Sequence, residues 1–381
     1  MSYLRSLRLN NFRNYETLDL DGLCDQFIVL TGPNGSGKTN VLEAVSMLSP
    51  GRGIRKASPV ELQNVHHDAL SPSDAWGVGA TIQGEYGHVP ISVSLDSSTG
   101  RRLTRIKGED SKSQSVLNEY LAILWLTPQM DQLFIGGSSD RRRFFDRMIY
   151  TAFDGAHAGR ITRYENALRQ RSKILQDGEG EPAWLDGLER DMADTAVAIA
   201  ASRLDFVYRL NAASQKFSQS GILKSFPMGT INAIGFVEQL LQQRLSATQV
   251  EERFMVSLAR SRKEDSFRGG AKEGPHKTDF GVQHLAKNMP ADQCSTGEQK
   301  ALLVGVILAY AQMVREEKQM MPILLLDEIA AHFDAKRRDE LYELLDAMGG
   351  QVWMTGTEKQ IFGNLPKNTQ FLSVDNGKIT A

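Results

Sequence analysis

Cysteine is nearly missing: the 381-residue chain has two, Cys24 and Cys294. They lie far apart and form no metal-ligand pattern, which excludes a disulfide framework and fits a reducing compartment. An excess of charge of either sign is missing too. Lys and Arg number 44 against 46 Asp and Glu, a net charge of −2, so the whole-chain field does not favour nucleic acid and any basic surface has to be local. No apolar run is long enough for a membrane. The longest, Ala301 to Val314, is interrupted by Gln312 and falls short of the about 20 residues a spanning helix needs. The opening MSYLRSLRLNNFRNYETLDL alternates and carries charge, unlike a secretory signal. Internal repeats and low-complexity tracts are likewise absent. The expectation is a cytoplasmic chain, long enough for two domains or one interrupted domain.

What is present is α/β patterning at both ends and helical patterning between. Leu4 to Leu9 partly alternates and Phe27-Ile28-Val29-Leu30 is wholly apolar, so residues 3 to 31 read as strands. A helix follows over Val41 to Leu48, stopped at Ser49-Pro50-Gly51. Trp76 to Ile82, Ile91 to Leu95 and Arg102 to Ile106 read as a β-meander, and Ile123 to Leu126 as a short buried strand. From Tyr164 to Leu175 and from Trp184 to Arg209 the spacing is helical, with a Gly/Glu-rich loop between, which predicts a helical hairpin. Helix is also expected over 236–260, and a Gly/Lys-rich loop over 264–278. Ile323 to Leu326 and Gln351 to Thr355 read as strands flanking a helix, Lys336 to Met348. The expected fold is an α/β nucleotide-binding head split in sequence: residues 1–135 and 270–381, with a helical lobe, 136–269, inserted between.

Gly32-Pro33-Asn34-Gly35-Ser36-Gly37-Lys38-Thr39 stands between a strand and a helix, the context a phosphate loop requires. Its glycines let successive N–H groups converge on a phosphate, and the helix N-terminus adds its positive end. Lys38 would reach the β- and γ-oxygens, and the Thr39 hydroxyl would ligate Mg²⁺. At the end of an apolar strand, Asp327 can hold the same Mg²⁺ and Glu328 can act as general base toward water. A third stretch, Ser295-Thr296-Gly297-Glu298-Gln299, opens the helix that leads toward that strand. Its hydroxyl, glycine and free N–H groups suit a γ-phosphate, and equally suit a plain N-cap. Both uses can hold at once.

Together and in this order the three motifs resemble the Walker A, signature and Walker B elements of ABC-type ATPases. Within that superfamily, Leu7 to Tyr15, Lys38-Thr39-Asn40-Val41-Leu42-Glu43-Ala44 and Arg52-Gly53-Ile54-Arg55 are similar to the RecF family of bacterial recombination-mediator ATPases. So are Gly137 to Asp146, Gly274 to Phe280 and Thr355-Gly356-Thr357. The resemblance implies an ABC-type P-loop ATPase head that uses ATP and Mg²⁺. It implies nucleotide contacts from Gly32, Asn34, Gly35, Gly37, Lys38, Thr39 and Asn40, with Ser295 and Gly297 serving the nucleotide of a second copy. It further implies an ATP-dependent homodimer, nucleoid-associated, that clamps duplex DNA near single-strand gaps and junctions. Such a dimer helps load recombinase, works with RecR and RecO, and lets go through weak, DNA-stimulated hydrolysis. An ABC transporter subunit and a small-molecule P-loop kinase are the alternatives.

The chain departs from that family at Ser138, Thr278, Cys294 and Ala331-His332-Phe333-Asp334, and Thr355 and Thr357 stand where transporter subunits carry a switch histidine. Gln129 is either a Q-loop glutamine or a plain loop residue. Arg52, Arg55, Lys56, Lys272, His276 and Lys277 are spaced for a DNA-facing edge, while Arg141-Arg142-Arg143 reads as a basic patch or a salt-bridged helix start. Phe12 or Tyr15 is expected in the core rather than on adenine.

Overall fold

A computed structural model describes residues 2–64, 75–178, 182–219, 225–329 and 333–380. Ala331 and His332, and part of the loop between the hairpin helices, lie outside the described residues. The chain forms two compact units: one comprises residues 1–131, 220–226 and 307–381, the other 132–219 and 227–306.

In the first unit β1 (Tyr3–Phe12), β2 (Tyr15–Leu20), β3 (Phe27–Thr31) and α1 (Lys38–Ser46) come first. The meander follows as β4 (Gly77–Gly84), β5 (Gly87–Asp96), β6 (Arg101–Ile106) and β7 (Glu109–Ser111), then β8 (Ile123–Leu126). In the second unit are α2 (Ser138–Ala152), α3 (His157–Asp177), α4 (Pro182–Gln219), β9 (Gly229–Ile234), α5 (Phe236–Gln242) and α6 (Ala247–Arg268). Its last strands are β10 (Asp279–His284) and β11 (Met289–Pro290), and α7 (Thr296–Lys318) starts there and ends in the first unit. The first unit closes with β12 (Ile323–Leu326), α8 (Ala335–Met348), β13 (Val352–Gly356), β14 (Gln370–Asp375) and β15 (Lys378–Thr380).

Strands β3, β8, β12 and β13 are apolar runs because both their faces are covered, the mark of a parallel sheet. They assemble in the order β15-β14-β3-β13-β12-β8. Thr355 pairs with Leu30 and Met354 with Leu326, so β3, β13 and β12 end together and deliver the phosphate loop, Thr355 and Asp327 to one edge. The meander, in the order β2-β1-β4-β5-β6-β7, is antiparallel and alternates buried with open residues. Leu7, Val78 and Val93 of that sheet share one core with Val41, Val45 and Trp353. Phe12 and Tyr15 are fully buried in it, as expected.

Arg102 of β6 fastens the meander to the end of α1. Its guanidinium donates to the Met47, Ser49 (3.0 Å) and Gly51 (2.7 Å) carbonyls. Desolvation pushes its pKa down to about 10.

The second unit packs α3, α4, α5 and α6 around Met192, Ala196, Val237, Val250 and Phe254. Its buried charges pair internally. Arg171 donates to Glu189 (2.8 Å), Asp265 (2.9 Å) and the Leu258 carbonyl (2.7 Å). Arg203 holds Asp146 through two bonds (2.9 and 2.8 Å) and reaches Glu238 at 3.3 Å. Two expectations shift here. The helix expected over 236–260 is two helices, the second capped by a Ser246–Gln249 box and running through the start of the expected loop to Arg268. Residues 270–306, expected with the head, cluster with the helical unit. The cause is pairing: β10 lies between β9 and β11, Phe280 stacks on Phe145 at 4.8 Å, and Asp279 binds Arg141.

Candidate functional site

The phosphate loop is built around close approaches that only glycine allows. A Cβ on Gly32, at φ +150°, would sit 2.1 Å from the Val374 carbonyl oxygen; one on Gly37, at φ +114°, would meet the Asn14 amide at 2.5 Å. Lys38 folds back so that Nζ donates to the Gly32 and Pro33 carbonyls, each at 2.7 Å. Those carbonyls stand in for the phosphate oxygens an ammonium in this position would reach. Desolvation lowers the Lys38 pKa, and the carboxylates of Glu328 and Asp327 oppose that shift. The Ser36 hydroxyl is buried with no hydrogen-bond partner among the described residues. A buried hydroxyl without a partner is costly, and a phosphate oxygen cradled by the loop supplies one.

Asp327 joins the two halves of the site. Its carboxylate accepts from Thr39 Oγ1 (3.1 and 3.2 Å) and from Thr355 Oγ1 (2.7 Å). A hydroxyl and a carboxylate this close form the hard-oxygen set that Mg²⁺ takes, usually with waters completing the shell. The Thr39 and Asp327 donors therefore fit the ion. Glu328 is exposed and has φ +54°, a region that costs a non-glycine residue about 1–3 kcal/mol. Its N–H donates to Thr355 Oγ1 at 2.9 Å.

Behind the loop stands a network that sequence reasoning missed. Asn14 donates to the Ser36 carbonyl (3.2 Å) and Tyr15 to that of Gly37 (3.2 Å). Asn40, expected at the nucleotide, donates to Asn14 at 2.6 Å. Glu43, wholly buried, lies between Arg13 (2.7 and 2.8 Å) and Arg55 (2.9 Å). The available signal was the turn Asn11-Phe12-Arg13-Asn14, where Asn11 and Arg13 have φ +47° and +55°. Asn34 and Gly35 form the exposed crest of the loop, Gly35 at φ +81° with open space around its missing Cβ. Gln129 is exposed in a single turn, Pro128–Gln132, after β8.

The DNA-edge candidates separate. Arg52, Lys56 and Lys277 are exposed. Arg55 is held by Glu43 and by Asn40 Oδ1 (2.5 Å), so a DNA contact would compete with a structural one. His276 is turned inward between the Tyr164 hydroxyl (3.0 Å) and the Ala271 carbonyl (2.9 Å), and burial pushes its pKa down to about 4. Lys272 pairs with Glu264 at 3.6 Å. None of the three consecutive arginines is idle: Arg141 binds Asp279 through two bonds of 2.8 Å, Arg142 the Thr278 carbonyl (2.7 Å) and Arg143 Asp140 (2.7 Å).

Ser295 immediately precedes α7 in the second unit. Its N–H and hydroxyl both donate to Glu298 Oε2 (3.0 and 2.9 Å), and Lys287 binds the same carboxylate. Those bonds, Lys287 first, hold the Glu298 pKa down to about 2. Gln299 ties the turn to the Cys294 carbonyl at 2.8 Å, while Ser295 and Gly297 stay exposed. Glu298 thus closes the turn from inside the helix by accepting the Ser295 N–H. Asp334 caps α8 by accepting from the Arg337 N–H at 3.0 Å.

A phosphate loop, an acid-ended strand of the same sheet and an antiparallel meander on one core define an ATPase head of the ABC and SMC class. The profile of the RecF/RecN/SMC N terminal domain family matches residues 3–380. A DNA replication and repair protein RecF from Rhizobium meliloti (strain 1021) is 40% identical over 381 residues, covering 99% of this chain and 98% of that protein. The one from Brucella suis biovar 1 is 44% identical over 386 residues, covering 99% and 96%. In fold, the chain matches a structure of the recombination mediator protein RecF-ATPrS in the RecFOR pathway with a TM-score of 0.85 at 20% identity, over 99% and 97% of the two chains. A Smc head domain with an extended coiled coil from Pyrococcus furiosus follows at 0.53 and 16%, over 100% and 96%. The chain belongs to the RecF family, and its function is in DNA replication and repair. That membership sets aside the transporter and kinase alternatives. Among the described residues, no helix is long and apolar enough to cross a membrane.

Proposed function

We propose that the chain is a nucleotide-switched DNA clamp. ATP binds the loop Gly32–Thr39, two copies close on it, and duplex DNA near a single-strand junction is held until hydrolysis releases it. The observation that carries this reading is the convergence of Lys38, Thr39, Asp327 and Glu328 at one sheet edge. Lys38 exchanges its two carbonyl partners for phosphate oxygens. Thr39 and Asp327 hold Mg²⁺, which neutralises phosphate charge when bound. Glu328, exposed beside them, takes the proton of the attacking water. Ser295 and Gly297 meet the γ-phosphate of the second copy at the N-terminus of α7, where backbone N–H groups and the helix dipole favour an anion. Gln129 takes the Q-loop role.

Arg52, Lys56 and Lys277 supply phosphate-backbone contacts, and hydrolysis is slow and DNA-stimulated. RecR and RecO are the partners; the likeness to a recombination mediator protein of the RecFOR pathway supports this.

Sedimentation of the Glu328→Gln protein with ATP, with and without duplex DNA, tests the clamp. A dimer that retains DNA is expected, and a monomer without retention would overturn the reading. Ser295→Arg is expected to abolish dimerisation while ATP binding stays within about threefold, because Ser295 serves the other copy's nucleotide. Equal loss of both would show that it acts on its own nucleotide or only structurally.

A further inference from the structure

β13 lies between the strand that feeds the phosphate loop and the strand that ends in Asp327 and Glu328. Its Thr355 is buried and pairs with Leu30 on one side. Toward the other side, its hydroxyl donates to Asp327 Oδ1 at 2.7 Å and accepts the Glu328 N–H at 2.9 Å. The single proton and one lone pair of that hydroxyl are thereby both committed, and a β-branched side chain has little rotamer freedom with which to reorient.

Glu328 is where such a hold matters. It stands two residues beyond the last residue of β12 and adopts φ +54°, which a residue with a Cβ rarely does. At the strand end its N–H has left the sheet ladder, and the Thr355 hydroxyl gives it an acceptor in that conformation. The backbone dihedral at Glu328 sets the direction of its side chain. A hydroxyl from the neighbouring strand therefore controls where the exposed carboxylate stands, while Asp327 is tied to the same hydroxyl and to Thr39.

We infer that Thr355 is a positioning residue for hydrolysis: its hydroxyl fixes the left-handed backbone of Glu328 and so aims the general base. The inference rests on the reading of Glu328 as that base. Thr355 acts through Glu328.

The test is steady-state ATP hydrolysis by the full chain over a Mg²⁺ series, compared at the Mg²⁺ concentration that saturates the natural protein, with ATP affinity measured separately. Thr355→Val keeps the shape and removes the hydroxyl. It is expected to lower kcat about 100-fold, the scale of a misplaced catalytic group, with ATP affinity within about threefold. Thr355→Ser is expected to return kcat to within about tenfold of the natural protein. In a Glu328→Gln background, Thr355→Val should lower the residual rate no further, since residues acting as one unit are not additive. Thr355→Ala stands in if the valine protein does not fold.

A valine protein with kcat within threefold of normal overturns the inference. So does loss of affinity and kcat by the same factor, a serine protein no better than valine, or additive loss in the Glu328→Gln background. Recovery of the valine protein at high Mg²⁺ overturns it too, by placing the effect on Asp327. If Glu328→Gln hydrolyses ATP normally, the reading of Glu328 fails first, which separates the two failures.

Discussion

In the helical unit, Arg171 is enclosed by Glu189, Asp265 and the Leu258 carbonyl, and Arg203 by Asp146, Glu238 and the Pro275 carbonyl. In the other unit, Lys38 rests on two loop carbonyls, Ser36 has no partner, and Glu328 is exposed. In the first group each guanidinium is matched by carboxylates and carbonyls of the fold itself, although Glu238 Oε2 has no hydrogen-bond partner there. The second is held by weak substitutes that a phosphate can replace. Charge density alone does not separate the two units; the chemical kind of the partner does. Closed networks define architecture, and replaceable partners mark a site.

Three experiments sharpen that contrast. Arg171→Ala leaves Asp265 buried without its cation and Glu189 with Arg262 alone, a loss of about 3–5 kcal/mol that urea unfolding should register. Lys38→Ala should leave the ligand-free protein within about 1 kcal/mol of the natural one. It should lose the stabilisation that ATP confers, about 2.7 kcal/mol at a hundredfold excess over Kd, read as the vanished thermal shift on adding ATP. The acid response of His276 is smaller. Above its ordinary value near 6.5 the ring is neutral folded and unfolded alike. Between 6.5 and about 4 the unfolded chain takes up a proton that the buried ring refuses, so stability falls as the pH falls through that window. At pH 5 the loss should be about 2 kcal/mol, and His276→Asn should remove that part of the pH dependence in urea titrations at pH 7 and pH 5. A closed network that survives Arg171→Ala, or a Lys38→Ala protein that unfolds, would break the distinction.

The legibility of the molecule follows the range of its determinants. The phosphate loop and the strands Phe27–Thr31 and Ile323–Leu326 are local patterns, apolar runs and glycine spacing, and they stand where the sequence put them. β9 and β10 were missed because Gly229–Ile234 and Asp279–His284 have one open face and a glycine each, and they are strands only by pairing with one another. That same pairing moved residues 270–306 into the helical unit. The long-range partners were not visible at all. Nothing local tells that Glu43 is clasped by Arg13 and Arg55, or that His276 turns inward to Tyr164. The three arginines from Arg141 read as either a basic patch or a salt-bridged helix start, and the choice stayed open because Asp279 and the Thr278 carbonyl, which occupy two of them, lie far along the chain.

Arg102 holds the meander to the end of α1 with no carboxylate in its clasp, only carbonyl oxygens of residues 47, 49 and 51 and the Gln114 amide. Carbonyl and amide oxygens do not titrate where carboxylates do. The joint between phosphate helix and meander is therefore indifferent to acid over the range in which Asp146 and its neighbours change charge. Protonation can loosen the helical unit's buried pairs while the fastening behind the phosphate loop keeps its grip.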